Sequence, residues 1–495
     1  MDQSRRRNGR KMGRAAIVWF GFAWLALLTA GCNTPMPAVF TEAAAGGGAT
    51  DPEVAVQAIL PTRTASVTPL PTATPVPAYL SVRPEDLDGL KIHVWHGFRD
   101  QVQAAFDAFV DAFNDENAFG IVVSADSMIS DVNLSDRVLG GGEDGGHPNL
   151  IFSTADYFRF WSGEGVLFAP LDDYFAHPQY GLSPERIRAI DARIPVPGKR
   201  TVFPLWYTPY FLFYNDTWGQ QLGFSGPPET FEAFAEQSCA AYQARMDDED
   251  RENNGTGGWI ISGAPGTAVS WLSAFEAGKI DFSDLSAAAP GEAFLKAVSA
   301  LRKLFDDGCV WQSRLSEPYA YFADHEALFY SGTAADLPFQ RIAFAESETN
   351  GADDWRLIPY PGIYGVRNEV FAETFSVGIV VQSAVEQFAS WLFLSYVLDE
   401  ARLSDWAGAA MGIPIGDETG LPSDARKKLD RKLAAALYDG AEPTAYEFPA
   451  NWITIRPVLA DGFAFAFAPG ATIDSAPVIW EQVLQTILEI SQLRT

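Results

Sequence analysis

Strands and helices alternate along the chain from residue 91 onward, and this alternation limits the possible fold more than any other feature. Residues 91–95, 120–124 and 149–153 are short runs rich in β-branched and aromatic residues. Between the first two runs, apolar side chains share one face of a helix: Val102, Phe106, Phe109, Val110 and Phe113. The order strand, helix, strand predicts an α/β fold with a largely parallel sheet.

The chain has 495 residues. A globular part that begins near residue 87 is too long for a single hydrophobic core, so the length predicts two lobes.

The residue pattern at the N-terminus is typical of an export leader. Six basic residues between Arg5 and Arg14 precede an apolar run over residues 15–30, the order typical of a secretory signal. The run is short for a spanning helix. It ends in Leu-Thr-Ala-Gly-Cys32, which resembles the bacterial lipobox, whose cysteine is acylated. Residues 1–31 are therefore predicted to be a lipoprotein signal peptide, with an uncleaved anchor as the alternative.

A tether follows the leader. Residues 32–86 are rich in Pro, Thr, Ala and Gly, a composition that cannot bury a core and favours extended or disordered chain. We expect this segment to hold the globular part away from a membrane through a lipid on Cys32.

Charge excludes some partners. The chain carries 35 basic and 63 acidic residues, a formal net charge of −28. This balance argues against nucleic acid and anionic membrane surfaces as partners. The sequence predicts neither a metal nor a cofactor. The acidic stretch near Asp250 partly resembles a calcium loop, but Ile261 occupies the twelfth position, where an acid is needed.

Several segments match a known family in order and spacing. They include residues 92–96 as a first strand, 165–172 (Gly-Val-Leu-Phe-Ala-Pro-Leu-Asp), 203–206 followed by 213–216 (Phe-Tyr-Asn-Asp), 227–234 (Pro-Pro-Glu-Thr-Phe-Glu-Ala-Phe), 358–362 and 412–414. Together they resemble the bacterial extracellular solute-binding proteins of the maltose-binding type.

This resemblance implies a two-lobed periplasmic-binding-protein type II fold, with a ligand cleft between the lobes and several hinge crossings. Lobe 1 is then expected over residues 87–206 with 362–400 returning to it. Lobe 2 is expected over residues 207–361 with 401–495 returning to it.

The implied function is capture of a small solute outside the cytoplasm, by a lipid-anchored monomer without enzymatic activity that delivers its ligand to an ABC permease. Two other functions stay open: a secreted carbohydrate-active enzyme, and a ligand-binding partner of a sensor.

Candidate ligand residues lie where strands end or lobes meet. In parallel sheets a ligand lies at the carboxyl ends of strands, which points to Trp95, His96, Asp156 and Tyr157. The remaining candidates, placed at hinges, a helix start and later segments, are Trp206, Tyr207, Trp271, Trp355, Glu373 and Trp452.

The many tryptophans favour a carbohydrate, because flat aromatic faces stack on the apolar face of a pyranose ring. Trp95, Trp206 and Trp271 are the first choices, and replacing each by Ala should weaken binding. The alternative is that each indole is part of the core. An anionic ligand also stays open, since Arg99 and Arg159 are close in sequence to the candidate residues at the strand ends.

Two cysteines follow Cys32. Export to an oxidising compartment makes a disulfide between Cys239 and Cys309 plausible. Two unrelated buried thiols are the alternative.

Overall fold

The computed structural model describes residues 82–141, 146–193, 200–276, 280–285, 288–313, 317–366, 369–415 and 429–492. All of them belong to one compact unit of the chain, residues 74–495. The predicted leader, Cys32 and the tether as far as residue 81 lie outside the described residues.

The strands of the described chain are β1 Lys91–His96, β2 Val122–Ser127, β3 Leu150–Thr154, β4 Phe203–Asn215, β5 Gly257–Ile260, β6 Val310–Trp311, β7 Ala327–Thr333, β8 Trp355–Ile358, β9 Pro361–Gly362, β10 Gly365–Val366, β11 Glu369–Ile379, β12 Ile413–Pro414 and β13 Glu442–Thr444.

The helices are α1 Asp100–Glu116, α2 Asp131–Gly140, α3 Ala155–Gly163, α4 Asp172–Phe175, α5 Pro184–Arg193, α6 Asp216–Gln221, α7 Phe231–Asp247, α8 Pro265–Phe275, α9 Ala288–Asp306, α10 Tyr319–Ala323, α11 Leu337–Glu346, α12 Ala384–Val397, α13 Glu400–Ala409, α14 Arg431–Tyr438, α15 Trp452–Phe465 and α16 Ala476–Gln492. Short 3-10 helices cover Pro84–Asp86, Ala334–Asp336 and Ile473–Ser475.

Local sequence explains why several helices begin where they do. The side chains of Ser130 and Thr230 accept hydrogen bonds from the first backbone amides of α2 and α7. At α12, Ser383 and Glu386 form a capping box. These caps satisfy donors that a helix leaves unpaired in its first turn.

One twisted sheet runs through both halves of the molecule. Its strands follow the order β2-β1-β3-β11-β4-β7-β5-β6, with β8 and β12 also paired to β4 and β13 to β11. The outer groups β2-β1-β3 and β7-β5-β6 are parallel, whereas the central pairings made by β11 and β4 are antiparallel. The predicted α/β class is therefore confirmed.

Two long strands cross from one lobe to the other. Residues 203–209 of β4 pair with β11, and residues 210–214 pair with β7. Residues 375–379 of β11 pair with β3 in the first lobe, and residues 369–371 pair with β13. A third crossing is made by β12, which pairs with Trp206 and Tyr207 of β4.

Two prolines of β4 lie where its pairing changes. Pro204 is next to the register shift between Phe375 and Ser376 of β11. Pro209 is the last residue of β4 paired with β11 before the strand turns to β7. Proline cannot donate a ladder hydrogen bond, so its place in a sheet is an edge or an irregularity. Both prolines therefore mark the hinge.

Separate apolar cores support the two lobes. Strands β1–β3 and helices α1, α12 and α13 enclose the first core, in which Phe106 packs on Trp406 with ring centroids 5.0 Å apart. Helices α7–α9, α15 and α16 enclose a core of the second lobe. Leu403, Trp406 and Ala407 of α13 also belong to the first core.

A disulfide joins Cys239 of α7 to Cys309, which directly precedes β6. It fixes a helix of the second lobe to the edge of the sheet. In the described part of the chain, no helix is both long and apolar enough to cross a membrane.

Candidate functional site

Two cavities open beside the crossing strands. We call the first the hinge cavity, and its volume is about 500 Å³. Its lining residues come from the segments 155–162, 200–204, 371–376 and 445–448. The second, the lobe-2 cavity, measures about 610 Å³ and lies at the ends of β5 and β7, near the start of α8. Tyr210 lines the lobe-2 cavity and donates a hydrogen bond to Glu373 of the hinge cavity, so the two spaces adjoin.

Asp156 enters the hinge cavity from the first turn of α3, directly after β3 ends. Burial raises its pKa to about 6, against the opposing charges of Arg456 and Arg159. Its carboxylate makes no hydrogen bond to another described residue. Asp156 is therefore an acceptor that the protein leaves open to the cavity.

Glu373 faces the same cavity from the crossing region of β11, where it pairs with Thr208 of β4. Its Oε1 accepts a hydrogen bond from the Tyr210 hydroxyl at 3.3 Å. Burial raises the pKa of Glu373 to about 7; Arg456 lowers it, and the nearby Asp156 raises it further. Both carboxyls thus change charge near neutral pH.

Arg456 connects the two lobes at this point. Helix α15 is anchored in the second-lobe core by Trp452, Ile455 and Leu459. From this helix, Nη2 of Arg456 donates to the hydroxyl of Tyr157 on α3, at 3.3 Å. A second contact across the cleft runs from Arg159 of α3 to the carbonyl oxygen of Phe448.

Asp131 adds a third carboxyl near this arginine. It is the first residue of α2, and its Oδ1 accepts from the Ser153 hydroxyl at 2.6 Å. Burial raises the pKa of Asp131, while Ser153 and Arg456 lower it. One guanidinium therefore faces three carboxyls.

An aromatic column forms the floor between the cavities. Tyr210 stacks on Phe371 at 5.3 Å, Phe371 on Tyr446 at 5.6 Å, and Tyr446 on Phe282 at 5.1 Å. A Cβ on Gly266 would lie 2.2 Å from the Tyr210 ring, so glycine lets α8 cover the last open face.

The lobe-2 cavity carries a buried hydroxyl that lacks a partner in the described part of the chain. The hydroxyl of Tyr330 is buried and finds no hydrogen-bond partner among the described residues. Asp336 also lines this cavity and accepts from the Tyr319 hydroxyl at 2.7 Å. Buried polar groups left unpaired are unfavourable, so the Tyr330 hydroxyl points to a polar ligand.

The structure brings only part of the predicted site together. Asp156 and Glu373 line the hinge cavity, and Tyr157 lies next to it through Arg456. Trp452 supports the cavity indirectly, since its indole stacks on the lining residue Phe448 at 4.0 Å.

The three preferred tryptophans lie in the cores. Trp95 is covered by the guanidinium of Arg137 at 4.5 Å. Trp206 stacks on Phe375 at 4.5 Å. Trp271 is 0 % exposed, within the second-lobe core. None of the three indoles has a face open to either cavity, because packing within each lobe has taken those faces.

The other predicted residues also lie away from the cavities. His96 is buried against Phe98 at 4.5 Å, and burial lowers its pKa to about 4. Tyr207 and Trp355 belong to a further apolar core of the second lobe. These side chains stabilise the walls behind the cleft.

Sequence reasoning missed Tyr210, Tyr446, Phe448 and Arg456. Tyr446 and Phe448 alternate with charged Glu447 in a loop before α15. Aromatic residues in an otherwise polar loop were the available signal. No such signal marked Arg456, because only the fold brings α15 to α3.

Among the described residues, no group of three or more His, Cys, Asp or Glu side chains could hold a metal ion. The acids near Asp250 instead form local turns: the Asp248 and Asp250 carboxylates accept from backbone amides two residues ahead.

Comparison with known proteins identifies the family. Residues 108–428 match the family model of the bacterial extracellular solute-binding proteins. No curated protein sequence matches the chain.

Solved structures share the fold. The cyclic alpha-maltosyl-1,6-maltose binding protein of Arthrobacter globiformis superimposes with a TM-score of 0.60 at 18% identity, covering 81% of this chain and 99% of that one. The sugar-binding protein MalE of Xanthomonas citri gives 0.63 at 17% identity, covering 81% and 98%. The maltotriose binding protein of Thermus thermophilus gives 0.57 at 16%, covering 80% and 100%.

These matches confirm the two-lobed fold and the resemblance that the sequence motifs carried. The family model spans well over half of the chain, including the crossing strands and the first-lobe wall of the hinge cavity. The chain belongs to the bacterial extracellular solute-binding protein family.

Proposed function

We propose that this protein captures a carbohydrate outside the cytoplasm and delivers it to an ABC permease. The observation that carries the proposal is the hinge cavity, which combines an aromatic wall with the open carboxyls of Asp156 and Glu373. A polyhydroxylated solute needs many acceptors and an apolar surface beside them. The relatives named above, which bind maltose-type sugars by their descriptions, support the same ligand class.

Capture would proceed by a shift between open and closed lobes. The hinge cavity takes walls from α3 in the first lobe and from the loop before α15 in the second. A ligand that touches both walls favours the closed form by its additional contacts there. The crossing strands β4 and β11 supply the hinge.

Attachment to the membrane is part of the proposal. A lipid on Cys32 would hold the protein at the outer face of the cell membrane, and the Pro-rich segment up to residue 86 would give the lobes their reach. The lobe boundaries stay as predicted, except that α13 is assigned to the first lobe.

The proposal is tested by a thermal-shift screen against neutral, amino and acidic sugars and polyols. A ligand at a hundred times its dissociation constant should stabilise the protein by about 2.7 kcal/mol. Asp156→Ala should weaken binding of the best ligand roughly tenfold or more, because it removes a charged hydrogen-bond acceptor. Asp474→Ala, an exposed acid remote from both cavities, is the control. A screen without any sugar response, or equal binding by Asp156→Ala, would contradict the proposal.

A second candidate is glycoside hydrolysis. Two carboxyls with raised pKa values in one cavity, Asp156 and Glu373, are the kind of pair that such enzymes use. Incubation with the sugars that bind, followed by measurement of reducing ends, separates the two functions. We expect no release of reducing ends above that of the Asp156→Ala variant.

A further inference from the structure

Around the hinge cavity, acidic side chains outnumber basic ones. The charged and titratable groups facing Glu373 or Asp156 are Asp131, Tyr157, Arg159, Tyr210 and Arg456, with Arg200 and Glu447 at the rim. Arg456 is the cation shared by the three buried carboxyls. In the described part of the chain it makes no ion pair within 4.0 Å, and its hydrogen bond goes to Tyr157.

The arginines at the rim already hold protein acceptors. Arg159 donates to the carbonyl oxygen of Phe448. Arg200 pairs with Asp172 at 2.9 Å. An anionic solute would also meet Asp156 and Glu373 inside the cavity.

The carboxylates of Asp156 and Glu373, in contrast, can accept further hydrogen bonds. An ionised carboxylate can accept about four hydrogen bonds. Glu373 receives one, from Tyr210, and Asp156 receives none from a described residue. Burying a carboxylate without a partner is costly, and a cation with several N–H donors is the partner that restores its ionisation.

The lobe-2 cavity is also lined by acidic side chains. Among the described residues, its lining includes the acids Glu317 and Asp336 and neither a lysine nor an arginine. It also includes Tyr210, Tyr319 and Tyr330. A bare metal ion is not the cation indicated, since the described residues offer no suitable ligand group.

We infer that the captured solute is an amino sugar, whose protonated amine is held by the carboxyls of Asp156 and Glu373. This inference rests on the proposed capture of a carbohydrate and narrows its ligand class. A sugar hydroxyl would be met by the buried hydroxyl of Tyr330, which has no partner among the described residues.

The test compares matched pairs of probes that differ in one group. Glucose and glucosamine, galactose and galactosamine, and cello-oligosaccharides and glucosamine oligomers are titrated into the full protein by calorimetry at pH 7 and pH 5. The N-acetylated sugars, which lack the charge, serve as further controls. The amino member of at least one pair should bind tenfold or more tightly at pH 7. At pH 5 this ratio should shrink, because the two carboxyls are then largely protonated.

Variants separate charge from shape. Glu373→Gln keeps the side-chain volume and removes the charge, so it should lower the ratio of amino to neutral binding at least fivefold. Asp474→Asn makes the same change at an exposed site outside the cavities and should leave the ratio as in the wild type.

Each outcome decides something. Equal or tighter binding of the neutral members at pH 7, or an unchanged ratio in Glu373→Gln, would overturn the inference and leave carbohydrate capture standing. A protein that responds to neither member of any pair would overturn the inference, and the sugar screen described above then decides whether carbohydrate capture stands.

Discussion

Glu373 illustrates how position outweighs residue type. The same carboxyl on the surface would be ionised at every physiological pH. At the crossing of two buried strands it keeps its proton to about pH 7. Arg456 is near enough to oppose this shift, yet burial dominates.

This shift has a consequence for stability without ligand. The folded-state pKa of Glu373 lies above its ordinary value of 4.5. The stability linked to its proton is therefore fully present below pH 4.5 and is lost as pH rises through 7. The loss is on the order of 3 kcal/mol, since the folded-state pKa of about 7 lies well above 4.5.

Glu373→Gln should remove the loss of folding stability that the wild type shows as pH rises. Urea unfolding at pH 4 and pH 8 should show the variant gaining stability over the wild type only at the higher pH. Glu447→Gln, which changes an exposed carboxyl at the same cavity, is the matched control and should show no such gain. A wild type and a Glu373→Gln variant with parallel pH profiles would contradict the assignment.

Two acids that the sequence proposed as sugar acceptors, Asp156 and Glu373, line the hinge cavity, whereas its aromatic lining was not proposed. Asp156 was proposed from its place after a predicted strand. The proposed tryptophans lie in cores, because a large indole is equally suited to a core. Trp271 and Trp206 fill cores directly behind the cleft, so only their orientation separates the two roles.

At the scale of elements, the disulfide is the strongest local constraint in the second lobe. Cys239 and Cys309 are separated by 70 residues, a span that includes β5, α8 and the whole of α9. Closing a loop of that length in the unfolded chain is worth about 4 kcal/mol in the chain-entropy view.

The double variant Cys239→Ala, Cys309→Ala should lower the free energy of unfolding by several kcal/mol, up to about 4. Urea unfolding with and without reductant measures this effect. Reductant should shift the wild type toward the variant and leave the variant unchanged. Two free thiols in wild-type protein unfolded without reductant would contradict this prediction.

The positions of the strands were easier to predict from the sequence than the pairing between strands. The three runs of the first lobe correspond to β1, β2 and β3, because alternation and β-branched residues are local signals. The antiparallel insertion of β11 between β3 and β4 is a pairing between residues far apart in sequence. Prolines in β4 obscured its length further, since Pro204 and Pro209 argue against a central strand unless its pairing switches there.

At the scale of the whole molecule, the predicted N-terminal leader would set where the protein works. The basic run, the apolar run and Cys32 predict acylation at that cysteine. Cys32→Ser should move the protein from the membrane fraction to the soluble fraction and abolish incorporation of labelled palmitate. Thr34→Ser, which leaves Cys32 in place, should stay with the membrane. Absence of label from the wild type would refute lipid anchoring.

The crossing strands also determine when each lobe can be completed during synthesis. The first core draws on residues from Leu87 to Ala407, and a second-lobe core draws on residues from Tyr210 to Ile487. A nascent chain that has emerged only as far as residue 360 has the beginning of both lobes and the closing helices of neither. Export of the chain from its N-terminus therefore meets no finished lobe until α12 and α13 have been made. For the same reason, either lobe can be produced alone only by joining segments that are not contiguous in the sequence.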